Sequence, residues 1–96
     1  GAINDDVMDL EALACLLLQR LAVSYPKALE ERYRMTDLQA IQEDGFAMLE
    51  LLGRKRGMLI SGGEVNTERA AITLLDEFRS GKLGRITLEL PEQEAL

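Results

Sequence analysis

The sequence predicts an all-α fold, a bundle of about four to five helices with a short extended C-terminal tail. Apolar residues recur at helical spacing in several separate stretches, and capping residues, prolines and glycines punctuate them. The only strand-like stretch, Ile86–Leu90, has no partner strand and reads as extended tail. With 96 residues there is room for one small domain, taken as 1–90, followed by a flexible acidic tail over 91–96.

Asp9 reads as an N-cap, with Glu11 adding charge to the first turn of a helix of about 15 residues. Leu10, Leu13, Ala14, Leu17, Leu18 and Leu21 form one stripe at about 100° per residue, and Ala12, Leu16 and Val23 fall nearly opposite. Apolar on two faces, this helix is expected to be central and covered on both sides. Tyr25-Pro26 ends it, because the residue before a proline is pushed out of the α region, and Pro26 suits the first turn of a second helix reaching Tyr33.

Thr36 and Gln39 have capping-box spacing, and Asp44 is another candidate cap, so residues 37–56 hold one helix or two. Phe46, Met48, Leu49, Leu51 and Leu52 supply the inward pattern up to Gly53. Three glycines between Gly57 and Gly63 mark a loop, with Met58-Leu59-Ile60 apolar enough to tuck down. Asn66 caps a last helix in which Ala70, Ala71, Leu74, Leu75 and Phe78 make the stripe, and Gly81 follows as its C′ residue.

Composition removes several function classes. Zero His and a single cysteine, Cys15, exclude an intramolecular disulfide, a Cys-based zinc site and the usual general base. Cys15 reads as a buried small hydrophobe, and Met8, Met35, Met48 and Met58 as scattered gap-fillers. The longest purely apolar run, Ala12–Leu18, is far short of the ~20 residues a bilayer span needs, so no membrane partner is expected and a cytoplasmic setting is the default. No catalytic constellation, phosphate-loop motif or metal-ligand pattern is present, and no small-molecule substrate, cofactor, catalytic residue or metal is expected for this chain.

The net charge of −6 hides a segregation. Residues 1–52 hold 4 Lys/Arg against 10 Asp/Glu, whereas residues 53–87 hold 7 against 4, a net +3. That segment contains the candidate phosphate contacts Arg54, Lys55, Arg56, Arg69, Arg79, Lys82 and Arg85. Gly62, Gly63 and the Asn66 helix start would offer backbone donors to an anion. Each feature also has a bland reading: the glycines as a connector needing φ > 0, the 54–56 run as cations complementing a helix C-terminus, and the rest as a solvated face. The aromatics fall in helical patterns and read as core, so base stacking is not expected.

Several strings carry a family resemblance. Gly1–Asp6, Tyr25–Tyr33, Arg54–Gly57, Gly62–Ala71 and Leu74–Arg85 resemble, in order and spacing, the C-terminal region of the ribosome biogenesis GTPase A family, from residue 1 to about 89. The resemblance implies a helical domain similar to the antiterminator-type RNA-binding fold, taken from a longer protein whose circularly permuted GTPase domain precedes it. It implies a non-catalytic role, contacting ribosomal RNA, with ribosomal proteins as further possible partners, during assembly of the large (50S) subunit. The alternative it leaves open is a protein-interaction domain docking on the parent GTPase domain or a ribosomal protein. GTP and magnesium would belong only to the absent GTPase domain, since none of its motifs matches a residue here.

Overall fold

The computed structural model describes residues 7–87. Four α-helices follow in order: α1, Val7–Ser24; α2, Pro26–Tyr33; α3, Gly45–Lys55; and α4, Thr67–Arg79. A 3₁₀ turn at Leu38–Ala40 lies between α2 and α3. No strand forms among the described residues, so the all-α expectation holds. The expected tail beyond 87, including the flexible stretch 91–96, lies outside them.

Helix α1 is central, packing against α2, α3 and α4, while α3 and α4 also pack on each other. Its buried stripe is Ala14, Leu17, Leu18, Leu21 and Ala22. These meet Leu29 and Tyr33 of α2, Met48, Leu49 and Leu52 of α3, and Ala70, Ala71, Leu74 and Leu75 of α4 in one core. Among the described residues nothing covers the other face of α1, where Leu16 and Val23 are exposed, Leu16 by 59%, and Leu13, expected in the inward stripe, is exposed as well. Three neighbours fill only one side of the helix, and periodicity records which residues share a face, not whether that face is met.

The α1–α3 crossing depends on a missing side chain. A Cβ at Gly45 would lie 2.6 Å from the Cβ of Cys15 and 2.7 Å from its carbonyl oxygen, so the first turn of α3 rests directly on the α1 backbone. Cys15 is consequently only half-buried beneath that turn. Burial, followed by the charges of Glu11 and Asp44, pushes its thiol pKa up and away from reactivity. Gln19 adds a hydrogen bond of 2.7 Å to the carbonyl of Glu43 in the preceding loop.

Start signals are partly as expected. Asp44 accepts from the Ala47 amide and Asn66 from the Arg69 amide, each at 3.0 Å. Asp9 is not the cap of α1, because the helix already runs from Val7 and Asp9 lies in its first turn. Thr36 does not open a capping box: the chain instead turns through Asp37 at φ 57° into the 3₁₀ turn, and residues 37–56 split into two helices at Asp44. Phe46 is 46% exposed, since Gly45, its neighbour, takes the inward position.

The three later helices each stop at a left-handed residue. In α2 the Arg34 and Met35 amides reach back to Glu30 and Leu29. In α3 the Gly57 and Met58 amides reach Arg54 and Gly53, and in α4 the Gly81 and Lys82 amides reach Phe78 and Glu77. The left-handed residues are Arg34, Gly57 and Gly81 respectively; the α3 and α4 ends are Schellman motifs, whereas the α2 amides reach back four and six residues. Gly57 and Gly81 match expectation. Arg34 gave no warning, because it is not glycine.

Between α3 and α4 the glycine-rich stretch is more ordered than a plain loop. Leu59 and Val65 pair in an antiparallel bridge, and the Ile60 amide bonds the Glu64 carbonyl at 2.8 Å, making a small hairpin turned by Gly62 and Gly63. Met58 is buried, whereas Leu59 and Ile60, expected to tuck down with it, are exposed. After α4, Leu83 returns to the core. The phenol of Tyr25 then donates to the Thr87 carbonyl at 2.9 Å and accepts from the Thr87 amide at 3.1 Å.

Candidate nucleic-acid interface

The one buried charge of the described residues organises the site. Glu77, in the last turns of α4, is 8% exposed and accepts four hydrogen bonds. Arg32 of α2 donates through Nε to Oε1 at 3.0 Å and through Nη2 to Oε2 at 3.1 Å. Arg56, at the C-cap of α3, donates through Nη2 to Oε2 at 2.9 Å. The hydroxyl of Tyr33 donates to Oε1 at 2.8 Å, and the Arg56 guanidinium lies 5.4 Å from the centroid of the Tyr33 ring.

These contacts fix the electrostatics. The Arg32 hydrogen bonds, with those from Tyr33 and the charge of Arg56, outweigh burial and hold the Glu77 carboxyl at about 2. Burial first, and then Glu77, push the Tyr33 phenol well above its ordinary range, so it stays a neutral donor. A carboxylate removed from water is favourable only when it is paired and hydrogen-bonded, and here both of its oxygens are.

Because one carboxylate ties α2, α3 and α4 together near their last turns, three helix C-termini gather at one end of the bundle. Arg32 and Arg34 arrive with α2, Arg54, Lys55 and Arg56 with α3, and Arg79 and Lys82 with the end of α4. Backbone carbonyls at such ends carry partial negative charge, which favours cations there. Arg54, Lys55, Arg79 and Lys82 are exposed.

The structure thus divides the expected contacts. Arg56 bonds Glu77 through Nη2, Arg54 and Lys55 precede it in the last turn of α3, and Arg79 and Lys82 follow Glu77 at the end of α4, with Arg79 Nε donating to the Leu75 carbonyl at 3.4 Å. Arg85 is exposed on the segment running from α4 toward Tyr25. Arg69 lies in the first turn of α4, roughly 15 Å along the helix from Arg79 at ~1.5 Å per residue. Gly62, Gly63 and Asn66 are also at the start side of α4.

That start already has resident partners. Thr67 donates to Glu11 of α1 at 2.6 Å, Glu68 sits in the first turn, and the Asn66 side chain is spent on the Arg69 amide. These carboxylates complement the positive end of the helix and oppose a second anion. Gly62 and Gly63, at φ 91° and 86°, would meet nothing within 4 Å if a Cβ were added, so they serve the turn and not a close approach to the rest of the chain.

Arg32 and Arg34 escape notice in the sequence because they lie in the acidic half. Glu77 escapes because its partners are 21, 44 and 45 residues away in the chain. The one local signal for it is the Arg32-Tyr33 pair that closes the short helix α2. Among the described residues, no group of three or more His, Cys, Asp or Glu could hold a metal ion, and no helix is long and apolar enough to cross a membrane.

No family model matches the chain. Over 93 residues, 97% of its length, it is 36% identical to ribosome biogenesis GTPase A of Bacillus cereus, covering 30% of that protein. The protein of the same name from Bacillus pumilus is 37% identical over 96% of the chain, with 32% of its own length covered. An uncharacterised GTP-binding protein of Methanocaldococcus jannaschii is 30% identical over 67 residues, 70% of the chain and 17% of that protein. The chain spans about three-tenths of the length of the Bacillus relatives it matches.

Proposed function

Since the chain belongs, as a segment about three-tenths their length, to the ribosome biogenesis GTPase A family, we propose that it serves ribosome assembly as a non-catalytic RNA-docking domain. Its target is large-subunit ribosomal RNA, in the cytoplasm, and GTP and magnesium are handled by the remainder of the parent protein. The observation that carries this reading is the gathering of Arg54, Lys55, Arg56, Arg79 and Lys82 at one end of a chain whose total charge is −6. A local concentration of cations on an acidic protein directs polyanions to one face and repels them from the others. With the aromatic side chains packed or dispersed, contact is to phosphate and shape rather than to bases.

The test is affinity for a large-subunit ribosomal RNA transcript across a salt series. Binding should weaken steeply with salt, and Arg54→Ala with Lys55→Ala should weaken it and flatten the slope by somewhat under one per lost phosphate contact. Equal affinity and slope in the double variant would remove those residues from the interface.

The uncovered face of α1 favours a second reading. Leu13, Leu16 and Val23 are exposed on one side of the central helix, a surface suited to a protein partner such as the GTP-binding part of the parent protein or a ribosomal protein. That reading requires association with the separately expressed GTP-binding part that survives nuclease and high salt. Loss of the complex in Leu16→Asp would place it on this face.

A further inference from the structure

The geometry points to a two-guanidinium clamp for one RNA backbone phosphate, formed by Arg32 and Arg56 and held open by Glu77 as a positioning residue. This rests on the RNA-docking reading above and adds to it Arg32, a residue from the acidic half of the chain.

Arg32 Nη2 and Arg56 Nη2 lie 3.1 and 2.9 Å from the same oxygen, so the two nitrogens are within about 6 Å of each other. Two like charges hold that spacing only because the carboxylate lies between them, and the cluster keeps a net charge of about +1 with Tyr33 neutral. Each guanidinium has five N–H donors, of which Arg32 spends two on Glu77 and Arg56 one. The side chains of Arg32 and Arg56 are 34% and 31% exposed, against 11% for that of Glu77. An arriving anion therefore meets the arginines, with unspent donors, before the carboxylate.

The fork of each guanidinium can bond a carboxylate along one edge and a phosphate along another, which an ammonium cannot. Restraint on Glu77, and for Arg56 on the Tyr33 ring, means that little side-chain freedom is left to lose on binding. Arg34, Arg54 and Lys55 flank the pair in sequence and extend the positive field to neighbouring phosphates.

Anisotropy titrations of a labelled large-subunit ribosomal RNA transcript, run across a salt series, test this. Arg32→Gln and Arg56→Gln should each lower affinity about five- to tenfold and flatten the salt slope by about one, while Arg20→Gln, on the outer face of α1, leaves both unchanged. Glu77→Gln adds positive charge, so bulk electrostatics predicts tighter binding, whereas release of both arginines predicts weaker binding. Circular dichroism melts establish which variants are folded. Should Arg32→Gln fail to fold, Arg32→Lys keeps the charge but not the fork and should still weaken binding. Wild-type affinity and slope in folded Arg32 and Arg56 variants, or tighter binding by folded Glu77→Gln, overturns the clamp and leaves RNA docking standing. No salt-dependent binding by the wild-type chain overturns RNA docking itself, and the clamp with it.

Discussion

The Tyr33 hydroxyl donates to Oε1 of Glu77 across 44 residues of sequence, at 2.8 Å, inside the one buried charge cluster of the described residues. With Arg32 and Arg56 on the same carboxylate, it makes Glu77 the acid-sensitive point of the fold. The carboxyl is depressed from 4.5 when unperturbed to about 2 when folded, so the stabilisation is complete above about pH 4.5 and drains away as pH falls toward 2. It should amount to on the order of 3 kcal/mol. Urea titrations between neutral pH and pH 2 should show that loss, and Glu77→Gln should be less stable at neutral pH while losing much less on acidification. An acid profile in Glu77→Gln that parallels the wild type would assign the sensitivity elsewhere.

Gly45→Ala forces α3 away from α1, because the obstacle includes the Cys15 backbone, which no rotamer change can clear. A loss of about 1–3 kcal/mol is expected, as for overpacking elsewhere, despite the better helix propensity of alanine. Denaturant midpoints measure it, and an unchanged midpoint would mean that α1 and α3 can separate at this crossing without cost.

Arg34 holds a left-handed conformation, φ 61°, that glycine adopts without penalty. Arg34→Gly should therefore stabilise the chain by up to about 1 kcal/mol, offset in part by the extra backbone entropy of the unfolded state. Thermal melting decides the sign. A clear destabilisation would show that the side chain of Arg34 matters more to the fold than its backbone strain.

Tyr25→Phe removes both hydrogen bonds to Thr87 and leaves the ring. Hydrogen exchange at the Thr87 amide should accelerate strongly, with global stability falling by only about 1 kcal/mol. Equal protection in the two proteins would show that Leu83 and Ile86 alone hold this segment down.

Much of the helical framework could be read from local chemistry. Asn66, Pro26, Gly57 and Gly81 act within one turn of themselves, so their roles are present in the sequence. Leu16 and Phe46 defy their pattern because exposure depends on which neighbours arrive, a property of the whole packing. Cations near helix ends are visible in the sequence, but their convergence depends on a carboxylate meeting partners at three distant positions. Glu77 carries no local mark distinguishing it from the exposed acidic residues around it.

Helix α3 spans two fixed points, Gly45 seated on Cys15 and Arg56 bonded to Glu77, and so acts as a ruler. An inserted or deleted residue within it would shift its far end by about 1.5 Å and rotate it by about 100°, so that the two contacts could no longer be made together. Length variation among relatives is accordingly expected before Gly45 or in the Gly57–Asn66 hairpin, and not in the eleven residues of α3.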